Sequence, residues 1–303
     1  MNRREFLLGA AAAGFAGCAS APASKDGGGR ILFGACRGIK DVKTMKSVGY
    51  DFWEWGCGSA FAPEKDGEWW KRQRDEILAA PLPLRSCNGF IPGKFRLTGP
   101  AADHEPALKY GETVLRRAAE VGVKTVVFGS SGARNVPGDF TAKDRSKMPD
   151  LEKGVVQYTE FCRELCRRTE DLGDKVTMVI EPLRPKESNI INFVWQGMQV
   201  CEDVNSPRLN QLADIFHMMM GRESACSIKL AASRLRHCHV ADYETRQYPG
   251  FDPKFTDRLR PYFAALKAIG YEGGVSCECG WGRKGDRFED ALAAALATMR
   301  SLV

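Results

Sequence analysis

Long hydrophobic runs are missing from this chain of 303 residues. The apolar stretch Phe6–Ala16 is shorter than the roughly 20 residues a bilayer-spanning helix needs, which argues against a permanent span. Runs of five or six like charges are absent too. The 44 Lys+Arg and 38 Asp+Glu give a net charge of +6 dispersed along the sequence, so the basic stripe of a nucleic-acid-binding protein is not there. No G-x-G-x-x-G turn follows the first apolar run, which continues as Gly34-Ala35-Cys36-Arg37-Gly38, and this speaks against a dinucleotide-binding open sheet. No internal repeat is present. Eleven cysteines at irregular spacing cannot all pair within one chain, so free thiols are expected. With 44% hydrophobic and 27% charged residues, the composition is that of a globular enzyme.

The N-terminus reads as an address. Arg3 and Arg4, then the apolar stretch, then small residues make the layout of an export signal over residues 1–21. The adjacent arginines before Glu5-Phe6-Leu7 resemble a twin-arginine signal, used by proteins exported already folded. Phe15-Ala16-Gly17 before Cys18 resembles a lipobox, which would make Cys18 a lipidated N-terminus. Residues 22–29 read as a flexible tether. The expected location is outside the cytoplasm, periplasmic or held to the membrane by a lipid anchor alone.

Over residues 30–303 short apolar runs rich in Val, Ile and Phe alternate with segments of helical period, the sign of parallel βα units. Strands are predicted at Ile31–Ala35, Tyr50–Trp55, Leu84–Asn88, Thr125–Gly129, Val176–Glu181, Leu209–Asp214, Leu235–Ala241 and Gly274–Glu278. Helices are predicted at Lys40–Val48, Glu68–Ala79, Ala107–Val121, Leu151–Leu172, Trp195–Val204, Glu223–Ala232, Thr256–Ile269 and Phe288–Leu302. At about 34 residues per unit this is the arithmetic of a single α/β domain, a (β/α)8 TIM barrel.

In such a barrel the chemistry gathers at the C-terminal ends of the strands. Strand five ends in Ile180-Glu181-Pro182, strand six in Ala213-Asp214, strand seven carries His237-Cys238-His239, and strand eight ends in Cys277-Glu278. Successive gaps of 33, 25 and 39 residues separate Glu181, Asp214, His239 and Glu278, so the four would converge above the barrel. Two Glu, one Asp and one imidazole suit one divalent ion, Mn²⁺ first, with Mg²⁺, Co²⁺ or Zn²⁺ as alternatives. His237 and His239 share one face of their strand, so period alone does not choose between them, although His239 lies nearer the rim. His217, just past strand six, would reach a ligand held by the ion, whereas His104 sits in a loop stretch without evident role.

Aromatic residues add candidates for stacking on a sugar: Trp55 at strand two, Phe90 after strand three and Trp281 after Glu278. Alternation along strand two puts Trp53 and Trp55 on one face and Glu54 on the other, so these three cannot all line one pocket.

Together these residues resemble the sugar phosphate isomerase and epimerase superfamily with the xylose isomerase-like TIM barrel. The resemblance spans nearly all of Arg30–Val303. It is carried by Val127-Phe128-Gly129-Ser130-Ser131-Gly132-Ala133-Arg134-Asn135-Val136-Pro137, by Ile180-Glu181-Pro182-Leu183, by Asp214-Ile215-Phe216-His217-Met218, by His237-Cys238-His239-Val240-Ala241-Asp242 with Arg246 and Pro249-Gly250, and by Gly270-Tyr271-Glu272-Gly273 before Glu278. Similarity to ketose 3-epimerases implies Glu181, Asp214, His239 and Glu278 as metal ligands, and Glu187, His217 and Arg246 as substrate contacts. A histidine-rich trinuclear zinc site, as in endonuclease IV, is beyond a chain with four histidines.

The implied chemistry is proton abstraction beside a ketose carbonyl through an enediolate, with Glu181 and Glu278 as the exchanging pair. The same groups would serve an exported lyase or hydratase acting on a 3-keto-glycoside, and a non-catalytic periplasmic sugar-binding barrel is the third class. A free sugar or glycoside is expected as small-molecule partner, and nucleic acid is not. The sequence leaves open which sugar and whether the chain forms a homo-oligomer.

Overall fold

The computed structural model describes residues 30–303 apart from residue 284. The expected export signal, Cys18 and the tether lie outside the described residues. The eight strands form where the apolar runs are: β1 (Leu32–Ala35), β2 (Trp53–Gly56), β3 (Leu84–Asn88), β4 (Thr125–Phe128), β5 (Thr177–Ile180), β6 (Leu209–Asp214), β7 (Leu235–Val240) and β8 (Gly274–Cys277). All pairings are parallel, running in sequence order from β2 to β8, with β8 returning to β1. The circle closes through one bridge between Cys36 and Glu54, where the Arg37 N–H donates to the Glu54 carbonyl at 2.9 Å. This is the (β/α)8 barrel expected from the strand count.

Helices α1 (Val42–Val48), α2 (Cys57–Phe61), α3 (Gly67–Leu78), α4 (His104–Glu120), α5 (Ser131–Arg134), α6 (Leu151–Arg168), α7 (Val194–Val204), α8 (Ile215–Met220), α9 (Cys226–Leu230), α10 (Pro253–Ala268) and α11 (Phe288–Ser301) connect the strands. Asp66, Asp103, Asp150 and Asp252 cap α3, α4, α6 and α10 by accepting backbone N–H groups of the first turn. On α4 the stripe Leu108, Val114, Leu115 and Ala118 is buried, and Gly122 beyond its end takes φ +80°, the left-handed conformation that glycine adopts at no cost. His104 is not in a loop. It opens α4, donates through Nε2 to the Leu97 carbonyl oxygen at 2.8 Å, and sets its ring edge-on to Phe161. The short helices α2, α5 and α8 escaped the sequence pattern because four to six residues are too few to show a helical period.

Inside the barrel the residues stack in layers. The floor is polar, with Thr125 Oγ1 donating to Ser86 Oγ at 3.0 Å and Asn210 Nδ2 to Thr177 Oγ1 at 2.8 Å. Above it Val127, Val179 and Leu212 form an apolar group separate from the main core. Across from them the Phe52 ring fills the interior, in room left by Gly34 and Gly274: a Cβ at these positions would lie 2.3 and 2.8 Å from ring carbons. The main core lies between sheet and helices, where Phe128 meets Phe90, Tyr158 and Phe161 at 5.0 to 5.8 Å between ring centres.

The buried cysteines are free thiols, as expected, and among the described residues no helix is long and apolar enough to cross a membrane. The packing of Gly34 against Phe52 gives a direct test. Gly34→Ala is expected to lower stability by about 1–3 kcal/mol, the cost of overpacking a filled interior, and an unchanged denaturant midpoint would contradict this placement of the ring.

Candidate metal centre and active site

At the C-terminal ends of β5 to β8 the four expected ligands converge. One donor atom each from Glu181, Asp214, His239 and Glu278 lies within 4.8 Å of the others. His239 Nδ1 is 3.0 Å from Glu181 Oε1, 3.8 Å from Glu278 Oε2 and 3.9 Å from Asp214 Oδ2. His237 takes no part. Its ring sits lower in the barrel, and the choice left open by strand period falls on His239.

The three expected substrate contacts stand beside this cluster. Arg246 NH1 donates to Glu187 Oε1 at 2.9 Å and its NH2 to Glu278 Oε2 at 3.0 Å, so one guanidinium spans both carboxylates. Arg246 adopts φ +52°, a conformation that costs a non-glycine residue energy and is held by its loop. Gln247 pairs with Gly280 across the loops after β7 and β8, and the Gly280 N–H donates to the Arg246 carbonyl at 2.8 Å. His217 lies in the first turn of α8 under the Asp214 cap, which accepts its backbone N–H at 3.0 Å. Its Nδ1 accepts the Arg184 N–H at 3.4 Å. That bond leaves the ring proton on Nε2, a buried atom without a hydrogen-bond partner among the described residues, 3.6 Å from Asp214 Oδ2 and 3.9 Å from Glu187 Oε2.

The strand-four motif explains itself as support for this rim. Arg134, fully buried, donates to the carbonyls of Phe128, Glu181 and Ile191 at 3.0 to 3.3 Å and to Ser188 Oγ, tying the end of β4 to the loop that carries Glu181 and Glu187. Asn135 Nδ2 donates to the Glu187 carbonyl at 3.1 Å. Gly129 leaves the space for the Glu181 carboxylate, since a Cβ there would fall 2.1 Å from its Oε2.

Three contributors were not foreseen. Arg184 donates to Glu187 at 2.7 Å, and with Arg246 it flanks the Phe216 ring, each guanidinium 4.9 Å from the ring centre. Asn88, the polar residue that closes β3, donates to Glu278 Oε1 at 2.9 Å. Glu54 is wholly buried below the cluster, its oxygens 2.8 Å from His237 Nε2 and 2.9 Å from His239 Nε2.

The aromatic candidates fare less well. Phe90 is fully buried against Phe128 and cannot meet a sugar, because the chain after β3 turns it into the core between sheet and helices. Trp55 leans on Trp53 at 5.2 Å on the face of β2 opposite Glu54, as strand alternation requires. Trp281 lies half-buried beyond Glu278, stacked on Tyr248 at 6.2 Å and edge-on to Phe288.

Crowded carboxylates set the electrostatics. Burial, reinforced by Glu181 and Asp214, pushes the Glu278 carboxyl up to about 7 against the opposing pull of His239 and Arg246. Burial would also raise Asp214 and Glu187, but His217 with His239 and Arg246 in the first case, and His217 with the two arginines in the second, hold them below the ordinary range. Burial disfavours a charged His239, yet Glu54, Glu278 and Glu181 outweigh it and raise the ring well above its usual value. Three carboxylates and one imidazole, with the Gly129 gap and the unpartnered His217 Nε2 beside them, fit an oxygen-rich divalent cation. A second grouping, Cys36 with Glu54 and His239, is poorly suited: burial and Glu54 hold the Cys36 thiol in its protonated form, and the Nε2 of His239 is taken by Glu54.

Residues 42–302 match the model of the xylose isomerase-like TIM barrel family. The chain belongs to this family. Among relatives, the ketose 3-epimerase of Arthrobacter globiformis is 28% identical over 180 residues, 58% of either chain, so the alignment spans less than two thirds of the relative's length. The D-psicose 3-epimerase of Clostridium cellulolyticum H10, solved with D-tagatose, superposes with TM-score 0.75 at 19% identity, covering 90% of this chain and 99% of that one. The 3-keto-D-glucoside 4-epimerase of Escherichia coli gives TM-score 0.70 at 20% identity over 90% and 100% of the two chains. At such identities these likenesses establish the fold of this family member.

Protons compete with a cation for the four ligands, and Glu278 with His239 binds protons most strongly in the metal-free protein. The affinity for Mn²⁺ is therefore expected to weaken as pH falls from 8 to 6. Titration calorimetry across that range measures it, and an affinity that does not change with pH would contradict the ligand assignment.

Proposed function

We propose that this family member is a divalent-metal-dependent sugar epimerase acting on a ketose or keto-sugar. The observation that carries the reading is the pair Glu181 and Glu278. They come from β5 and β8, strands separated in the sheet by β6 and β7, yet both reach the His239 Nδ1 region from different sides. Two carboxylates so placed can address the two faces of one carbon. One removes the proton beside the carbonyl, giving the enediolate, and the other delivers a proton to the opposite face, which inverts the centre. A divalent ion held by Glu181, Asp214, His239 and Glu278 would supply Lewis-acid stabilisation of the negative charge that develops on the sugar oxygens.

The remaining residues bind and orient. The His217 Nε2–H points at the space between Asp214 and Glu187, where a substrate hydroxyl or oxyanion finds a donor. Arg246 and Glu187 offer a donor and an acceptor beside it, joined to each other at 2.9 Å. Both activities named for the related proteins, ketose 3-epimerase and 3-keto-glucoside 4-epimerase, invert a carbon beside a ketone, which supports the reaction class. The export segment read at the N-terminus supports a free sugar or glycoside over a sugar phosphate. A second reading, elimination from or hydration of a 3-keto-glycoside, draws on the same carboxylates and on the likeness to the 3-keto-glucoside enzyme.

Incubation of the Mn²⁺-loaded protein in D₂O with a panel of ketoses and 3-keto-glycosides, followed by NMR, decides between them. Solvent deuterium at an inverted carbon is the expected result; a released aglycone or an enone would move the assignment to elimination. Glu181→Gln and Glu278→Gln are each expected to keep the fold and lose roughly 10²–10⁴-fold in turnover, and wild-type turnover in either variant would remove the exchanging pair.

A further inference from the structure

We infer that Glu54 is a positioning residue that locks His239 in its Nε2–H tautomer and thereby turns the Nδ1 lone pair toward the cation site. The inference rests on the reading of Glu181, Asp214, His239 and Glu278 as ligands.

Glu54 is fully buried, as are His237 and His239. Its Oε1 lies 2.9 Å from His239 Nε2 and its Oε2 lies 2.8 Å from His237 Nε2. An ionised carboxylate only accepts hydrogen bonds, so each of these ring nitrogens must carry a proton. A neutral imidazole protonated at Nε2 has its lone pair on Nδ1, and Nδ1 of His239 is the atom that faces Glu181, Asp214 and Glu278 at 3.0 to 3.9 Å. The carboxylate thus decides which nitrogen is offered to a cation, as partners of metal-bound histidines commonly do.

The geometry leaves His239 little freedom to choose otherwise. Its ring packs edge-on to His237 at 5.2 Å with 85° between the planes, and both rings meet the same carboxylate. Glu54 is anchored in turn at the closure of the barrel, through its backbone bridge to Cys36 and the Arg37 N–H on its carbonyl. His237 is steadied further by Ser276 Oγ at 3.3 Å from its Nε2. The reason for an acid at this place is one of counting. Two ring N–H groups need two acceptor oxygens, and a glutamine brings one acceptor and one donor, so one of the two rings must surrender its tautomer.

The experiment pairs an affinity with a spectroscopic readout, using Zn²⁺ as a diamagnetic probe. Nitrogen-15 NMR of the Zn²⁺-loaded protein is expected to show His239 coordinated through Nδ1 and protonated at Nε2. Glu54→Gln is expected to weaken Zn²⁺ and Mn²⁺ binding by about 10–100-fold and to shift or abolish that Nε2–H signal, while the circular dichroism of the ion-free protein is retained. Coordination of wild-type His239 through Nε2, or a folded Glu54→Gln protein with wild-type affinity and an unchanged ring signal, would overturn the role. The wild-type spectrum tests the tautomer even where the variant does not fold. Should the wild type take up no ion, the metal reading itself fails. The ion-free protein, titrated to the pH at which the His239 ring gives up its first proton, then still judges Glu54: loss of that proton from Nε2, leaving the ring protonated at Nδ1 alone, would refute the lock.

Discussion

A carboxylate cannot remain ionised inside a barrel unless something answers its charge, and that constraint organises this molecule from the axis to the rim. Glu54 has no contact with solvent, and burial alone would raise its carboxyl. His239 and His237 more than compensate and hold it well below the usual carboxylate range. The same pairing recurs at each acid above it. Asp214 accepts the His217 backbone N–H, Glu278 takes Asn88 on one oxygen and Arg246 on the other, and Glu187 is shared by Arg184 and Arg246. These bonds link residues from six of the eight strands or their following loops, so the site is one network whose members cannot be valued one by one.

The network reaches the scaffold through residues that hold its backbone and leave its carboxylates alone. Arg134 donates to a serine hydroxyl and to carbonyl oxygens, and those carbonyls belong to the end of β4, to Glu181 and to the segment beyond Glu187. A loop that would otherwise be free to wander is thereby joined to a strand. The Gln247–Gly280 bridge does the same for Arg246. The rim is as much a product of guanidinium-to-carbonyl bonds as the barrel is of strand pairing.

Much of this was legible in the sequence. Parallel strands buried on both faces read as continuous apolar runs, and all eight were legible because segments of helical period separate them. The cluster of Glu181, Asp214, His239 and Glu278 was legible from polar residues near the ends of four successive strands, with the choice between His237 and His239 left open by the period. Glu54 was missed although the signal was there. Two tryptophans on either side of it suggested an aromatic rim, but alternation puts an acid between outward tryptophans into the barrel, where it needs a cationic or donor partner, and His237 was left without a role on the facing strand. Arg184 carried no signal, since its place depends on the turn of a loop. Phe90 was misjudged because a position just past a strand end does not say which way a loop bends, and here it bends into the core.

The barrel interior has two unlike halves. Around β4, β5 and β6 the middle layer is Val127, Val179 and Leu212, an apolar group separate from the main core. Around β1, β2, β7 and β8 the interior holds Cys36, Glu54, His237, His239 and Ser276, joined by hydrogen bonds and shared charge. Sequence drift meets different rules in each. In the first half one aliphatic residue can replace another at a cost in packing of about 1 kcal/mol, and the chemistry above is untouched. In the second half a single replacement strands a partner, so change there has to come in pairs. Descendants of this chain are thus free to vary in the apolar middle layer of β4 to β6, whereas the same layer across the barrel axis is nearly frozen.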